Sequence, residues 1–60
     1  MALYEDAIKL AINKSLTDIK TVLDWAEREE SLPQKEKHVA HALALLDEVR
    51  QNLAALRTRH

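Results

Sequence analysis

Glycine and cysteine are absent from the 60 residues, and proline and tryptophan each occur once. Without glycine, tight β-hairpins and glycine-rich phosphate-binding loops are both disfavoured. Without cysteine, no disulfide can stabilise the chain, and a structural zinc site loses its commonest ligand. Aromatic residues make up only 3% of the sequence and the formal net charge is −1. The stacking residues and the basic balance of a general nucleic-acid binder are therefore both lacking.

The residue types that are present favour helix. Ala, Leu, Glu, Lys and Arg together account for more than half of the sequence, a composition typical of long or coiled helices. A chain of this length forms one domain, and it buries only about 60% of the surface of its unfolded state. We therefore expect a single all-α domain over residues 1–60 that gains stability by associating with another chain.

The first half of the chain, residues 2–30, predicts one amphipathic helix. Its apolar residues recur at intervals of three and four, which places them along one side of a helix. Weak helix formers cluster around Ser15, and Ser15 and Asp18 have the spacing of a helix cap. A break near Ser15 is therefore an alternative to one continuous helix.

A turn is predicted at residues 31–33, followed by a second helix over residues 33–58. Ser31 and Gln34 have the spacing of a capping box, and Pro33 suits the first turn of a helix. Apolar residues of this helix recur every seven positions, which predicts coiled-coil-like packing. The two series are Leu32, Val39, Leu46 and Leu53, and Ala42, Val49 and Leu56.

Folding the two helices antiparallel about the turn makes the numbers of facing residues sum to about 64. The expected pairs are Ala26 with Val39, Val22 with Ala42, Ile19 with Leu46, Ser15 with Val49, Ala11 with Leu53, and Ile8 with Leu56. Both helices also carry apolar residues outside these pairs, which is typical of helices with two neighbours. We therefore expect an antiparallel helical hairpin that dimerises into a four-helix bundle.

The expected interface for self-association or for a partner combines a second stripe of helix one with two leucines of helix two. Its residues are Leu3, Ala7, Leu10, Lys14, Asp18, Thr21, Trp25, Leu43 and Leu45. If two copies of helix one dock antiparallel, Ala7 meets Trp25 and Lys14 meets Asp18, as two-fold symmetry requires. Alternatively, Lys14 and Asp18 form an ordinary pair within one helix, and Trp25 contacts a foreign protein.

Residues suited to catalysis or metal binding form no complete site in the sequence. His38 and His41 share a helix face, but neither follows a glutamate by three positions, as in the metal motif of helical bundles. Glu27 and Glu30 lie near the turn without matching acids opposite. We therefore expect no enzyme activity, no cofactor and no bound metal.

The favoured interpretation is a non-enzymatic interaction module that self-associates and acts as a regulator, inhibitor or adaptor of another protein. One alternative is a dimeric nucleic-acid-binding regulator that uses Arg50, Arg57 and Arg59. Its four-helix plan resembles the plasmid copy-number regulator Rop in architecture.

A designed bundle is the other alternative, because the absence of glycine fits design. Asn13 and Ser15 fit it less well, since idealised helices use stronger helix formers. No signal segment and no apolar run of membrane-spanning length is visible. We therefore expect a cytoplasmic protein without a membrane partner.

Overall fold

The computed structural model describes residues 2–57, which form two α-helices. Helix α1 is Ala2–Arg28, and helix α2 is Leu32–Arg57. The Cα positions extend over 46 × 15 × 9 Å, a length close to the roughly 40 Å of a 27-residue helix. The two helices therefore lie side by side as a hairpin, which confirms the all-α hairpin predicted from the sequence.

Helix α1 runs without interruption through the weak helix formers around Ser15. The Thr17 hydroxyl donates to the carbonyl of Asn13 at 3.1 Å, and the Thr21 hydroxyl donates to the carbonyl of Thr17 at 3.2 Å. These hydroxyls bond back to the preceding turn, as threonine does inside a helix, so they do not compete with helical hydrogen bonding here. The alternative of a helix break near Ser15 is therefore wrong.

The connection between the helices is closed by backbone hydrogen bonds and one carboxylate. The Lys35 N–H donates to the Ser31 carbonyl at 2.8 Å, which places Ser31 at the N-cap of α2 as predicted. The Ser31 N–H donates to Glu29 Oε2 at 3.2 Å. In a capping box, the side chain of Gln34 would accept this hydrogen bond instead. Because no described residue has a positive φ, the connection needs no glycine.

The core is a narrow seam between the helices. Within residues 2–57 the buried hydrophobic residues are Ile12, Val22, Ala26, Ala42 and Val49. Half-buried residues extend the seam at alternating intervals of three and four, which are the a and d positions of a heptad. The seam consists of Glu5, Ile8, Ile12, Ser15, Ile19, Val22, Ala26 and Glu29 on α1, and of Lys35, His38, Ala42, Leu45, Val49, Asn52 and Leu56 on α2.

One of the two heptad series predicted for α2 does not lie in the seam. The series of Ala42, Val49 and Leu56 is there as predicted, but Val39, Leu46 and Leu53 are 41–50% exposed. Their predicted places are taken by the residues one position earlier, which are His38, Leu45 and Asn52. The reason is geometric: when Ala42 occupies an a position, the d positions lie three residues after it, at Leu45, and four residues before it, at His38. Val39 and Leu46 then occupy e positions, which lie beside the seam.

The predicted register itself agrees with the contacts between the helices near the turn. The Lys35 ammonium donates to the Ala26 carbonyl at 2.6 Å, and His38 Nε2 lies 3.7 Å from Glu29 Oε1. The residue numbers of these pairs sum to 61 and 67, which bracket the predicted sum of about 64. The hairpin is therefore antiparallel in the expected alignment.

Candidate interaction surfaces

The seam divides the surface of the hairpin into two flat sides. On each helix, some residues flank the a positions and others flank the d positions. In an antiparallel pair, the residues that flank the a positions of both helices lie on one flat side, and those that flank the d positions lie on the other. A cleft of about 140 Å³ marks the second side, where Asp18 and Trp25 of α1 meet His41 of α2. We call this the tryptophan side.

The opposite side carries a nearly continuous apolar surface, which we call the leucine face. Its members are Leu16 and Leu23 of α1, and Val39, Leu43, Leu46 and Leu53 of α2. Each is between 41% and 61% exposed. Single exposed leucines are ordinary on any protein, whereas a contiguous apolar patch on so small a chain is typical of an interaction site.

A groove of about 410 Å³ runs along the α2 part of the leucine face. Leu43, Leu46 and Leu53 line it, together with Arg50 at its edge. The Arg50 guanidinium donates to Asp47 Oδ1 at 2.7 Å and is 81% exposed. Its aliphatic stem therefore extends the apolar lining while the charged group stays in water.

Charged residues border the leucine face in an ordered way. We call the end where α1 begins and α2 finishes the open end of the hairpin. Glu27 and Glu36 border the face near the turn, Lys9, Arg50 and Arg57 border it near the open end, and Lys20 lies at its α1 edge midway along the hairpin. All six are exposed, and Asp6 is the exception in sign at the open end. The face is therefore acidic at one end and basic at the other.

The stripe of α1 that the sequence predicted as an interface lies outside the seam. Its members Leu3, Ala7, Leu10, Lys14, Thr21 and Trp25 are exposed, and Asp18 is half-buried. Lys14 Nζ lies 3.1 Å from Asp18 Oδ2, so this pair forms within one helix, which was one of its two expected roles. Leu43 belongs to the leucine face, whereas Leu45 is half-buried in the hairpin's own seam because it occupies a d position.

Trp25 lies next to the turn on the tryptophan side and is half exposed. The centroid of its ring is 6.0 Å from that of His38, with the planes tilted by 58°. His38 in turn approaches the carboxylate of Glu29. These three side chains, with Arg28 and Glu30, line a shallow pocket of about 480 Å³. The sequence patterns gave no sign of the contact between Trp25 and His38, because it depends on His38 lying in the seam.

No protein family accounts for this chain. No family model matches it, and no curated protein and no solved structure is similar enough to match. The function is therefore inferred from the surfaces of the hairpin alone.

Residues 2–57 contain no group of three or more His, Asp or Glu side chains placed to hold a metal ion. Neither described helix is long and apolar enough to cross a bilayer. Arg50 and Arg57, expected for nucleic acid, line one pocket of about 370 Å³ with Leu53 and Leu56, and Arg59 lies outside the described residues.

Proposed function

We propose that this protein is a non-enzymatic interaction module. It is a small helical hairpin that self-associates into a four-helix bundle and uses its remaining helix surfaces to regulate, inhibit or connect another protein. The observation that carries this proposal is the leucine face, which leaves six apolar side chains of a 60-residue chain at least 41% exposed on one side. Helices with apolar residues on two sides are those that contact two neighbours in bundles.

The small core of the hairpin supports the same proposal. The most buried of its core residues, Val22, is still 2% exposed, and alanine supplies two of the five buried side chains. Burying the exposed half of one leucine contributes on the order of 1 kcal/mol. Covering the leucine face therefore adds a hydrophobic layer comparable with the core that the hairpin already has, offset by the entropy of association.

The mass of the protein in solution tests the proposal. Light scattering at micromolar concentration is expected to give about twice the chain mass of 6.9 kDa. A monomer that melts cooperatively at all concentrations would contradict it, because the hairpin would then be stable with its leucine face in water.

Nothing in the geometry favours the nucleic-acid alternative. Arg50 already pairs with Asp47, and counterion release requires a series of such cations along the phosphate backbone. We expect no retardation of short RNA or DNA duplexes in a gel-shift experiment at low salt. Retardation that disappears when Arg50 and Arg57 are both replaced by glutamine would instead favour the alternative.

A further inference from the structure

We infer that a second copy of this chain packs on the leucine face, with the turn of each copy lying over the open end of the other. In this arrangement α1 lies against α1 and α2 lies against α2, each pair antiparallel. The inference rests on the proposed self-association, and it assigns the surface and the orientation of the two copies.

The flat side that carries the leucine face has the size that a second copy needs. The flat side of the hairpin measures 46 by 15 Å between Cα extremes, or about 700 Å² for each copy. A standard stable interface buries about 800 Å² on each partner. The tryptophan side has the same dimensions, but Asp18, Thr21 and His41 interrupt its apolar surface.

The residues of α2 on this face are complementary to themselves when the helix is reversed. Leu43 lies midway between Glu36 and Arg50, so a two-fold axis at Leu43 places each glutamate opposite the arginine of the other copy. The same axis brings Val39 within one residue of Leu46 of the other copy. Reciprocity of this kind is what an isologous interface requires.

The residues of α1 on the same face reverse about their own midpoint. Leu16 and Leu23 are centred between residues 19 and 20, and the exposed Lys20 lies at the same level on the outer edge of the face. A two-fold axis there places Leu16 opposite Leu23. The apolar residues of α1 are therefore complementary to themselves on reversal, as those of α2 are.

The two midpoints lie at nearly the same level of the hairpin. In the register where facing numbers sum to about 64, the midpoint of α1 lies beside residues 44 and 45 of α2. That is within two residues of Leu43, or about 3 Å along the helix axis. One two-fold axis perpendicular to both helices therefore satisfies both patterns.

The charges also reject the competing orientation. If the two turns lay over each other, the acidic ends of both leucine faces would meet, and so would their basic ends. Like charges brought together across an interface are unfavourable and suppress wrong pairings. Placing the turn over the open end instead brings Glu36 near Arg50 of the other copy.

Because the chain has no cysteine, single cysteine variants can report the orientation directly. A disulfide forms only when the two Cα atoms come within about 7 Å. Glu36→Cys mixed with Arg50→Cys is expected to give a mixed disulfide at least tenfold more abundant than either self-linked product, as measured by mass spectrometry. Ala44→Cys, on the exposed outer surface of α2, is the control and is expected to link to none of them.

The competing orientation has its own cross-link. If Glu36→Cys links to Glu27→Cys and not to Arg50→Cys, the turns lie over each other and the inferred orientation is overturned. Self-linking of Glu36→Cys as the main product would overturn it as well.

A substitution on the face tests the surface separately. Leu46→Glu places a buried charge in both copies and is expected to raise the dissociation constant of the dimer about 100-fold, while Ala44→Glu leaves it unchanged. A wild-type monomer would refute the proposed function and this inference together. A wild-type dimer that survives Leu46→Glu would overturn only the inference, since self-association would then use another surface.

Discussion

Lys35 shows how a single side chain couples the two helices. Its ammonium group donates to the Ala26 carbonyl at 2.6 Å and is part-buried. Carbonyl groups in the last turn of a helix have no partner within the helix and carry the negative end of its dipole. Lys35 of α2 therefore satisfies the C-terminal end of α1, and it does so from within the seam.

Replacing Lys35 by methionine keeps most of the apolar stem and removes this bond. We expect Lys35→Met to lower the free energy of unfolding by about 1 kcal/mol, because a charged hydrogen bond at a helix C-terminus is lost. The measurement is urea denaturation followed by circular dichroism. Lys37→Met is the matched control, since Lys37 is exposed outside the seam. Equal midpoints for the two variants would contradict the role of Lys35.

The ring contact between Trp25 and His38 gives the protein a spectroscopic reporter. An aromatic ring packed against an indole keeps water from part of it, so loss of the contact changes the tryptophan emission. We expect His38→Ala to move the emission maximum to longer wavelength, because more of the Trp25 indole is then in contact with water. Lys37→Ala, outside the seam, is the control and is expected to leave the maximum unchanged. Equal maxima for the wild type and His38→Ala would show that the contact at 6.0 Å is not maintained in solution.

At the scale of the helices, the seam of α2 contains polar residues while several large apolar residues of α2 lie outside it. Lys35, His38 and Asn52 occupy seam positions, while Leu43, Leu46 and Leu53 face outward. A polar residue in the seam of a coiled coil costs stability and fixes the alignment of the helices. Asn52 is thus placed to specify register in the half of the hairpin farthest from the turn.

Replacing Asn52 by leucine tests the seam position directly. We expect Asn52→Leu to stabilise the protein by about 1 kcal/mol, because an apolar side chain at a half-buried d position gains burial. Asn13→Leu, on the exposed surface of α1, is the matched control and is expected to change stability by less than about 0.5 kcal/mol. Thermal melts monitored by circular dichroism compare the two. Destabilisation by Asn52→Leu would mean that residue 52 does not lie in the seam.

The sequence predicted most of the fold and only part of the interaction surface. The hairpin, the turn near Pro33 and the register are all recoverable, because helix periodicity and capping are local signals. The predicted pair of Ile19 with Leu46 is wrong, because Leu45 and Leu46 are equally apolar and only Leu45 lies in the seam. Applying the sum of 64 strictly pairs Ile19 with Leu45, and this puts Leu46 on the surface. Hydrophobicity alone could not separate these positions, because both series repeat every seven residues.

The hairpin as a whole has its core and its largest apolar surface on adjacent sides of the same helices. Stability and association are therefore linked, because covering the leucine face removes water from the side chains that flank the seam. Anything that binds the folded state and not the unfolded state raises the melting temperature in proportion to the logarithm of its concentration. For a self-associating chain, that ligand is the protein itself.

The melting temperature should therefore depend on protein concentration. We expect it to rise by several degrees between about 1 µM and 100 µM, since small domains shift by roughly 4–8 °C for each kcal/mol. Differential scanning fluorimetry using Trp25 measures this without a dye. Leu46→Glu is expected to give the same melting temperature at both concentrations. A wild-type melting temperature that does not change would show that folding and association are uncoupled.

The leucine face and the tryptophan side lie on opposite flat sides of one hairpin, and this determines valency. If two copies join through their leucine faces, their two tryptophan sides point away from each other on the outside of the bundle. A protein that recognises Trp25 would then be bound twice, once on each outer side, in a complex of two hairpins and two partners. Such a dimer would hold two partner molecules apart by the thickness of two helix layers. Its effect on a partner would therefore depend on whether that partner is itself a monomer or an assembly.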